Sequence, residues 1–410
     1  MSDVHVNRGE TATLDRVDGY LIVANHGSIQ AANGKPIIVT KGVAFKGSGA
    51  IIGDLECSTL LCHGTLEVNG NLTVHTKLDI GHSIEAKGTI KAQDVDIGGK
   101  IEATSLICNR MRVGGTAEID EIFEAQSVDV GGRVEADGTV RIGDLYVGGE
   151  AEVGGGAITG NIRIGGKFSA NRPIEFGDLQ VGCKGELPDN CKGHRISTLG
   201  KLTVEGTLEC DIIEAGGYIE IDGNCQADKV EVGGKFSVGG ALTVTDKLEG
   251  FGATEIKDNF AVQKLRISGR LIASRIEVKE DADISGRIET AQGLKAKTLI
   301  VRVGSRCDGP LIGERVEIGK SADLSWHGWS ANWAQGWSMT GGMAKVDDIY
   351  GVEVILGPMC RADRIFADKV RMEQSSAAKQ VTYISELSTT FGTAIAQPPI
   401  KVTELPKPPF

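Results

Sequence analysis

Apolar and polar residues alternate along this chain in short bursts, with three bursts in each repeat. In the repeat that begins at Gly131 the alternating apolar residues are Val134 and Ala136, Val140 and Ile142, and Leu145 and Val147. A period of two is typical of a strand with one buried face, whereas a helix needs apolar residues three and four apart. Each repeat therefore predicts three short strands, of about five residues each.

Glycine pairs separate the repeats at a nearly fixed distance. They begin at residues 98, 114, 131, 148 and 165, which are steps of 17 residues with one step of 16. A short fixed period is the mark of a solenoid, in which each coil buries its apolar face against its neighbours. We therefore predict an all-β parallel β-helix of triangular section. We assign the glycine pairs to corners, because glycine tolerates a positive φ.

The repeat divides the chain into five predicted segments. Residues 1–12 form a polar arm, and residues 13–324 keep the frame with no break longer than one residue. The frame fails over 325–343, returns over 344–384 and ends there. Residues 385–410 are rich in proline, which cannot extend a ladder of strands. We expect them to form a tail that is flexible or lies over the last coil.

Composition and charge exclude several classes of protein. The net charge of −11 argues against nucleic acid, whose binding needs a basic surface. The first residues lack the basic and apolar regions of a secretory signal, and no run of 18 apolar residues suggests a membrane span. The nine cysteines are scattered, and we expect buried free thiols. A cytoplasmic location is the prediction.

Several repeats are similar to those of a known family. The segments GDLEC from Gly53, GTIKAQDVDIGGKIEATSLI from Gly88 and VEADGTVRIGDL from Val134 resemble bactofilins, the polymer-forming cytoskeletal proteins. The resemblance implies a right-handed β-helix. It also implies cytoplasmic filaments that assemble without nucleotide, through end-to-end contacts between apolar terminal coils.

The terminal coils are therefore the candidate contacts for self-association. An unpaired strand edge is a template for another chain. The sequence places at the first coil Leu14, Val17, Leu21 and Val23, and at the last coil Val370, Met372, Val381 and Tyr383. If the proline-rich tail blunts one end, a limited oligomer is favoured over an endless filament.

The segment that interrupts the frame contains all the tryptophans of the chain. Their spacing of three, four and four residues would align on one helix face Trp326, Trp329, Trp333 and Trp337. Such a stripe can pack on the solenoid's own flank, contact another subunit, or lie in a membrane interface. The alternative function is thus a rigid interaction module that binds a protein partner or a membrane surface through this segment.

A column of glutamates is expected along one face, because five of them hold the same place in successive repeats: Glu85, Glu102, Glu118, Glu135 and Glu152. The column is either a ladder for a cation or partner, or a solvated face whose charge is offset by Lys100, Arg133 and Lys167.

Enzymatic function is the third and weakest reading. The seven histidines show no grouping typical of β-helix acyltransferases, and the cysteines lack the spacing of a zinc site. The stretch GERVEIGKS from Gly313 has five residues before its second glycine, where a phosphate-binding loop has four. The sequence predicts no catalytic residue, metal or cofactor.

Overall fold

The computed structural model describes residues 3–320 and 343–410 as a parallel β-solenoid with about 17 residues per turn. The predicted fold class is confirmed. The chain forms two compact units, unit 1 (Met1–Glu205) and unit 2 (Gly206–Phe410). Each is described by itself.

Unit 1 contains one short 3₁₀ turn, Ala32–Gly34, and otherwise strands and corners. Its strands are β1 (Val4–Val6), β2 (Thr11–Leu14), β3 (Arg16–Val17), β4 (Leu21–Val23), β5 (Gly27–Ala31), β6 (Ile37–Phe45), β7 (Gly49–Ile52), β8 (Leu55–Cys62), β9 (Thr65–Asn69), β10 (Leu72–Ile80), β11 (Ser83–Ile97), β12 (Lys100–Val113), β13 (Thr116–Val130), β14 (Arg133–Ala136), β15 (Thr139–Val147), β16 (Glu150–Val153), β17 (Gly156–Ile164), β18 (Lys167–Ala170), β19 (Ile174–Val181), β20 (Lys184–Leu187), β21 (Cys191–Thr198) and β22 (Lys201–Val204).

Unit 2 repeats the same arrangement. Its strands are β23 (Leu208–Ala215), β24 (Tyr218–Ile221), β25 (Cys225–Val232), β26 (Lys235–Val238), β27 (Leu242–Gly250), β28 (Ala253–Ile267), β29 (Arg270–Val278), β30 (Asp281–Ile284), β31 (Arg287–Arg302), β32 (Arg306–Asp308), β33 (Leu311–Lys320), β34 (Lys345–Val346), β35 (Ile349–Leu356), β36 (Arg361–Met372), β37 (Ala377–Thr389), β38 (Ala394–Ile395) and β39 (Ile400–Lys401).

The core of each unit consists of columns of aliphatic side chains, one from each coil. In unit 1 the strand register aligns one buried column: Ile84, Ile101, Ala117, Val134, Ala151 and Phe168. Burying one large aliphatic side chain contributes about 1.5–3 kcal/mol. Since every column is shared between neighbours, the stability of a coil depends on the coils that stack against it.

The corner glycines are required for a different reason from the one that the sequence suggested. Gly98, Gly114 and Gly131 do not have a positive φ. Instead, a Cβ added at Gly114 would lie 2.2 Å from the carbonyl oxygen of Gly98, and one at Gly131 would lie 2.5 Å from that of Gly114. Glycine is needed because the backbones of successive coils approach closely at this corner.

The first coils correct two expectations. Residues 4–12 are not an arm, because Val4–Val6 pairs with Leu21–Val23 and continues the ladder. The frame also has a longer break than one residue: Leu21 pairs with Val43, a step of 22 residues. The 3₁₀ turn Ala32–Gly34, with Asn33 at φ 55°, loops out the extra residues. Alternation alone did not reveal the loop, because its flanking strands keep their inward residues.

The interruption of the frame leaves neighbouring coils in contact. Cys307 in β32 pairs with Val346 in β34, and Leu311 in β33 pairs with Ile349 in β35. Trp326, Trp329, Trp333 and Trp337 lie outside the described residues, as does most of the predicted insertion. Its proposed role stays a prediction.

Candidate functional site: the coil ends and a covered flank

The first coil of unit 1 has a free edge. Strands β1, β2 and β3 each pair on one side, with β4, β5 and β6 respectively. Within the described part of the chain no strand pairs with their other side. Leu14 and Val17 lie in these edge strands. Leu21 and Val23 lie one coil inside, because β1 covers them, and their predicted position at the end is corrected.

The last coil of unit 2 lies beyond the residues that the sequence placed there. Val370 and Met372 pair with Leu387 and Thr389 of β37, and Tyr383 pairs with Lys401 of β39. Val381 is fully buried. The ladder therefore continues past residue 384.

The prolines of the tail do not interrupt that continuation. Pro398 and Pro399 lie in the connection between β38 and β39, where no ladder hydrogen bond is needed. Both of these strands have only two residues. They cover part of β37 and present a much shorter edge than the strands that they cover.

One flank of unit 2 changes character along its length. We define the flank column as the outward side chains aligned on this face: Gln226, Thr243, Ala261, Glu277, Lys295, Ile312, Tyr350, Phe366 and Thr382. Polar and small residues occupy its first five places, and Ile312, Tyr350 and Phe366 then follow. Although they point away from the core, Ile312 is only 8% exposed and Phe366 only 9%.

The tail covers this apolar part of the flank column. We call residues 405–410 the strap. Leu405 and Phe410 are its half-buried residues, whereas its prolines are exposed. The strap and the flank together enclose a groove of about 660 Å³, whose wall includes Ile312, Tyr350 and Phe366. The strap thus replaces water over side chains that would otherwise form an exposed apolar patch.

Phe410 occupies a specific position at the far end of the strap. The guanidinium of Arg275 lies over its ring, 4.4 Å from the centroid. A Cβ added at Gly293, which has φ +120°, would lie 3.0 Å from Phe410 Cε1. Cation–π contacts of this kind contribute about 0.5–1 kcal/mol at exposed sites. The absence of a side chain at Gly293 makes room for the ring.

Aromatic and charged groups support the floor of the groove. The rings of Tyr350 and Phe366 stack with centroids 4.9 Å apart, and Arg364 lies 5.7 Å from the Phe366 centroid. Arg364 Nε donates to the Asp348 carboxylate at 2.9 Å, which holds the guanidinium in place. Burial, and secondarily the charge of Asp348, raises the pKa of Tyr350. The floor is therefore neutral at physiological pH.

The rim of the groove is basic. Lysines contribute most of the charged lining: Lys279, Lys295, Lys297 and Lys407. The Glu277 carboxylate is paired with Arg275, which leaves Glu314 as the other acidic residue of the lining. A local excess of positive charge is unusual in a chain of net charge −11.

The predicted glutamate column is present in unit 1. The register aligns its members in successive coils, and cations lie between them. Lys100 Nζ lies 2.8 Å from Glu118, and Arg133 bridges Glu135 at 3.0 Å and Glu152 at 3.5 Å. The hydrogen bond with Glu102 is the main cause of the raised pKa of Lys100. These contacts favour a solvated, charge-balanced face.

The cysteines are free thiols, and eight of them are buried, as expected. Cys183 is exposed. Among the described residues, no group of three or more His, Cys, Asp or Glu side chains is arranged to hold a metal ion. In the same residues there is no helix with the length and apolar character needed to cross a membrane.

Comparison with protein-family models, with curated proteins and with solved structures gives no match to this chain. The solenoid fold is therefore shown by the structure itself, and the resemblance to bactofilins stays a prediction. Sequence reasoning did not find the groove, although a signal was present. The signal is the change to Ile312, Tyr350 and Phe366 at outward positions of otherwise regular coils.

Proposed function

We propose that this protein is a structural, bactofilin-like module of the cytoplasm that assembles with copies of itself, without nucleotide, through its first coil. The free edge of β1, β2 and β3 is the observation that supports this function. Unpaired backbone groups on a strand edge are satisfied by the edge of a second copy. Leu14 and Val17 add apolar contact where the core meets this edge.

The closed C-terminal end limits the proposed assembly. A filament needs two ends that accept another copy, and β38 and β39 already occupy the last coil. A contact between two identical first coils is isologous and closes on itself. The proposal is therefore a pair of copies joined at their first coils, and a filament only when the last coil is uncovered.

Charge at the free edge tests this proposal. Leu14→Lys places an ammonium group at the contact, a device by which natural edge strands prevent pairing. Thr13→Lys adds the same charge on the exposed side of the same strand and is the matched control. Sedimentation velocity over a range of concentrations, with and without nucleotide, should show self-association of the native chain and of Thr13→Lys.

We expect Leu14→Lys to weaken that association about tenfold or more, equivalent to about 1.4 kcal/mol. Circular dichroism checks that both variants are folded. A native chain that sediments as a monomer at every concentration contradicts the proposal, as does equal association of the two variants.

Catalysis has no part in this proposal, and binding of a protein or membrane surface through the Trp-rich segment stays a prediction. The covered groove of unit 2 favours an additional interaction function, because it already holds a peptide segment on an apolar surface.

A further inference from the structure

We propose that the groove of unit 2 is a docking site for the strap of a second copy of this chain, so that copies exchange straps and become linked side to side. This inference is independent of association through the first coil. It rests on the fit between strap and flank, on the anchors of the strap and on its attachment to the rest of the chain.

The flank is apolar only where the strap crosses it. Upstream, the flank column carries Gln226 and Thr243, which are exposed. Beneath the strap it carries Ile312, Tyr350 and Phe366, which line the groove. A solenoid without a ligand on this face has no reason to change its outward residues, because the inward residues already form the core. The apolar patch therefore matches one occupant, a segment with the composition of the strap.

The strap binds through two side chains at its ends. Leu405 and Phe410 are half-buried, and the residues between them are largely exposed. Phe410 lies under the Arg275 guanidinium and beside the space that Gly293 leaves open. The strap contains Pro406, Pro408 and Pro409, whose fixed φ reduces the conformational entropy lost on docking. A separate strap is thus prepared for the same site on another molecule.

The attachment of the strap permits release. Between β37 and the strap, the chain is held to the solenoid by β38 and β39, which are two residues each. Phe391 is 91% exposed, and Gly392 next to it has φ +80°, a conformation that favours glycine. A short ladder beside an exposed loop is a hinge of the kind that exchanges an element between identical chains.

A peptide measurement tests the site. The probe is a fluorescent peptide with the sequence of residues 402–410, and its control carries Leu405→Ala and Phe410→Ala. Anisotropy should show that a chain ending at residue 402 binds the probe, and that the full chain binds it at least tenfold more weakly because its own strap competes. Failure of the shortened chain to bind, or equal binding of the control peptide, overturns the proposal.

A complementation experiment tests the partner. Every chain carries Leu14→Lys, which removes association through the first coil. One chain ends at residue 402 and has an open groove but no strap. The other has a strap but carries Ile312→Glu in the groove, with Arg275→Gln as a second variant in case the first does not fold.

We expect neither chain to associate alone and the mixture to form a complex of one copy of each, detected by sedimentation with two fluorophores. A mixture that stays monomeric overturns exchange between copies, even if the peptide binds. A complex formed by either chain alone does so as well, because each lacks half of the proposed contact.

Discussion

At the scale of single residues, the corners show how closely successive coils pack. Gly233 and Gly234 form one corner of unit 2 and differ in their surroundings. A Cβ added at Gly234 would lie 2.0 Å from the carbonyl oxygen of Gly217, whereas one at Gly233 would have its nearest neighbour, the Ala215 oxygen, at 3.8 Å. The obstacle at Gly234 is backbone, which cannot move without shifting a whole coil.

We therefore predict different effects of alanine at these adjacent positions. Gly234→Ala should lower the free energy of unfolding by about 1–3 kcal/mol, the usual cost of overpacking. Gly233→Ala should leave it unchanged or raise it by up to about 1 kcal/mol, since alanine reduces the freedom of the unfolded chain. Urea unfolding of both variants measures this. Equal losses would show that close approach of the coils is not the reason for the second glycine.

The thiols follow the same packing. Burial raises the pKa of Cys57, Cys108 and Cys307 to about 12, from an ordinary value of 9.0. A buried thiol is hence both protonated and inaccessible, whereas a thiol reacts as its thiolate. These residues replace aliphatic side chains in the core columns.

We predict that one thiol, Cys183, reacts rapidly with a disulfide reagent at pH 8 in the folded protein, and all nine after denaturation. Cys183→Ser should remove the rapid phase. The raised pKa also sets a pH dependence: the stability from burying these thiols is complete below pH 9 and is lost between about 9 and about 12, because unfolded thiols ionise first. Cys57→Val should make this decline shallower, and an unchanged pH profile contradicts the explanation.

At the scale of elements, the strap and the flank column depend on each other. Ile312 and Phe366 occupy outward positions that are exposed in other coils, and they are buried because residues 405–410 lie over them. An element without ladder hydrogen bonds is thereby held by side chains alone. Such contacts are individually weak, so one charge in the flank column is expected to release the strap.

We predict that Ile312→Glu increases the rate of tryptic cleavage after Lys401 by roughly tenfold, which corresponds to a loss of about 1.4 kcal/mol of docking. The matched control is Thr243→Glu, which lies in the same column but is exposed and has no strap over it. Mass spectrometry of the cleaved chain gives the two rates. Equal rates would mean that the strap is not held through the flank column.

At the scale of the whole molecule, the two ends of the ladder differ. The first coil has unpaired edge strands, whereas the last is covered by β38 and β39. The difference follows from chain direction: residues beyond 389 return over the coil that precedes them, and no described residue does the same for β1. Association is therefore expected to be one-ended.

We predict that a chain ending at residue 393 assembles into longer species than the native chain, because it exposes the edge of β37. A chain ending at residue 402 is the control, since it loses the strap but keeps β38 and β39. Negative-stain electron microscopy and sedimentation distinguish the outcomes. Long assemblies of the control, or short ones of the chain ending at 393, contradict closure by these strands.

Local patterns were sufficient for the repeating part of the protein. A period of two and a step of 17 residues predicted the strands, the solenoid and the glutamate column, because each depends on residues at fixed separations. The buried thiols followed from their places in the same pattern. The sequence also identified the corner glycines, though not the close approach of coils that requires them.

Contacts between distant residues were decided only by the tertiary structure. The pairing of Val4–Val6 with Leu21–Val23, the 22-residue step and the continuation past residue 384 all break the period that sequence reasoning followed. The docking of Phe410 against Arg275 joins residues far apart in the chain. A period describes what each coil shares with the next, so it carries no information about an element that departs from the repeat and folds back over it.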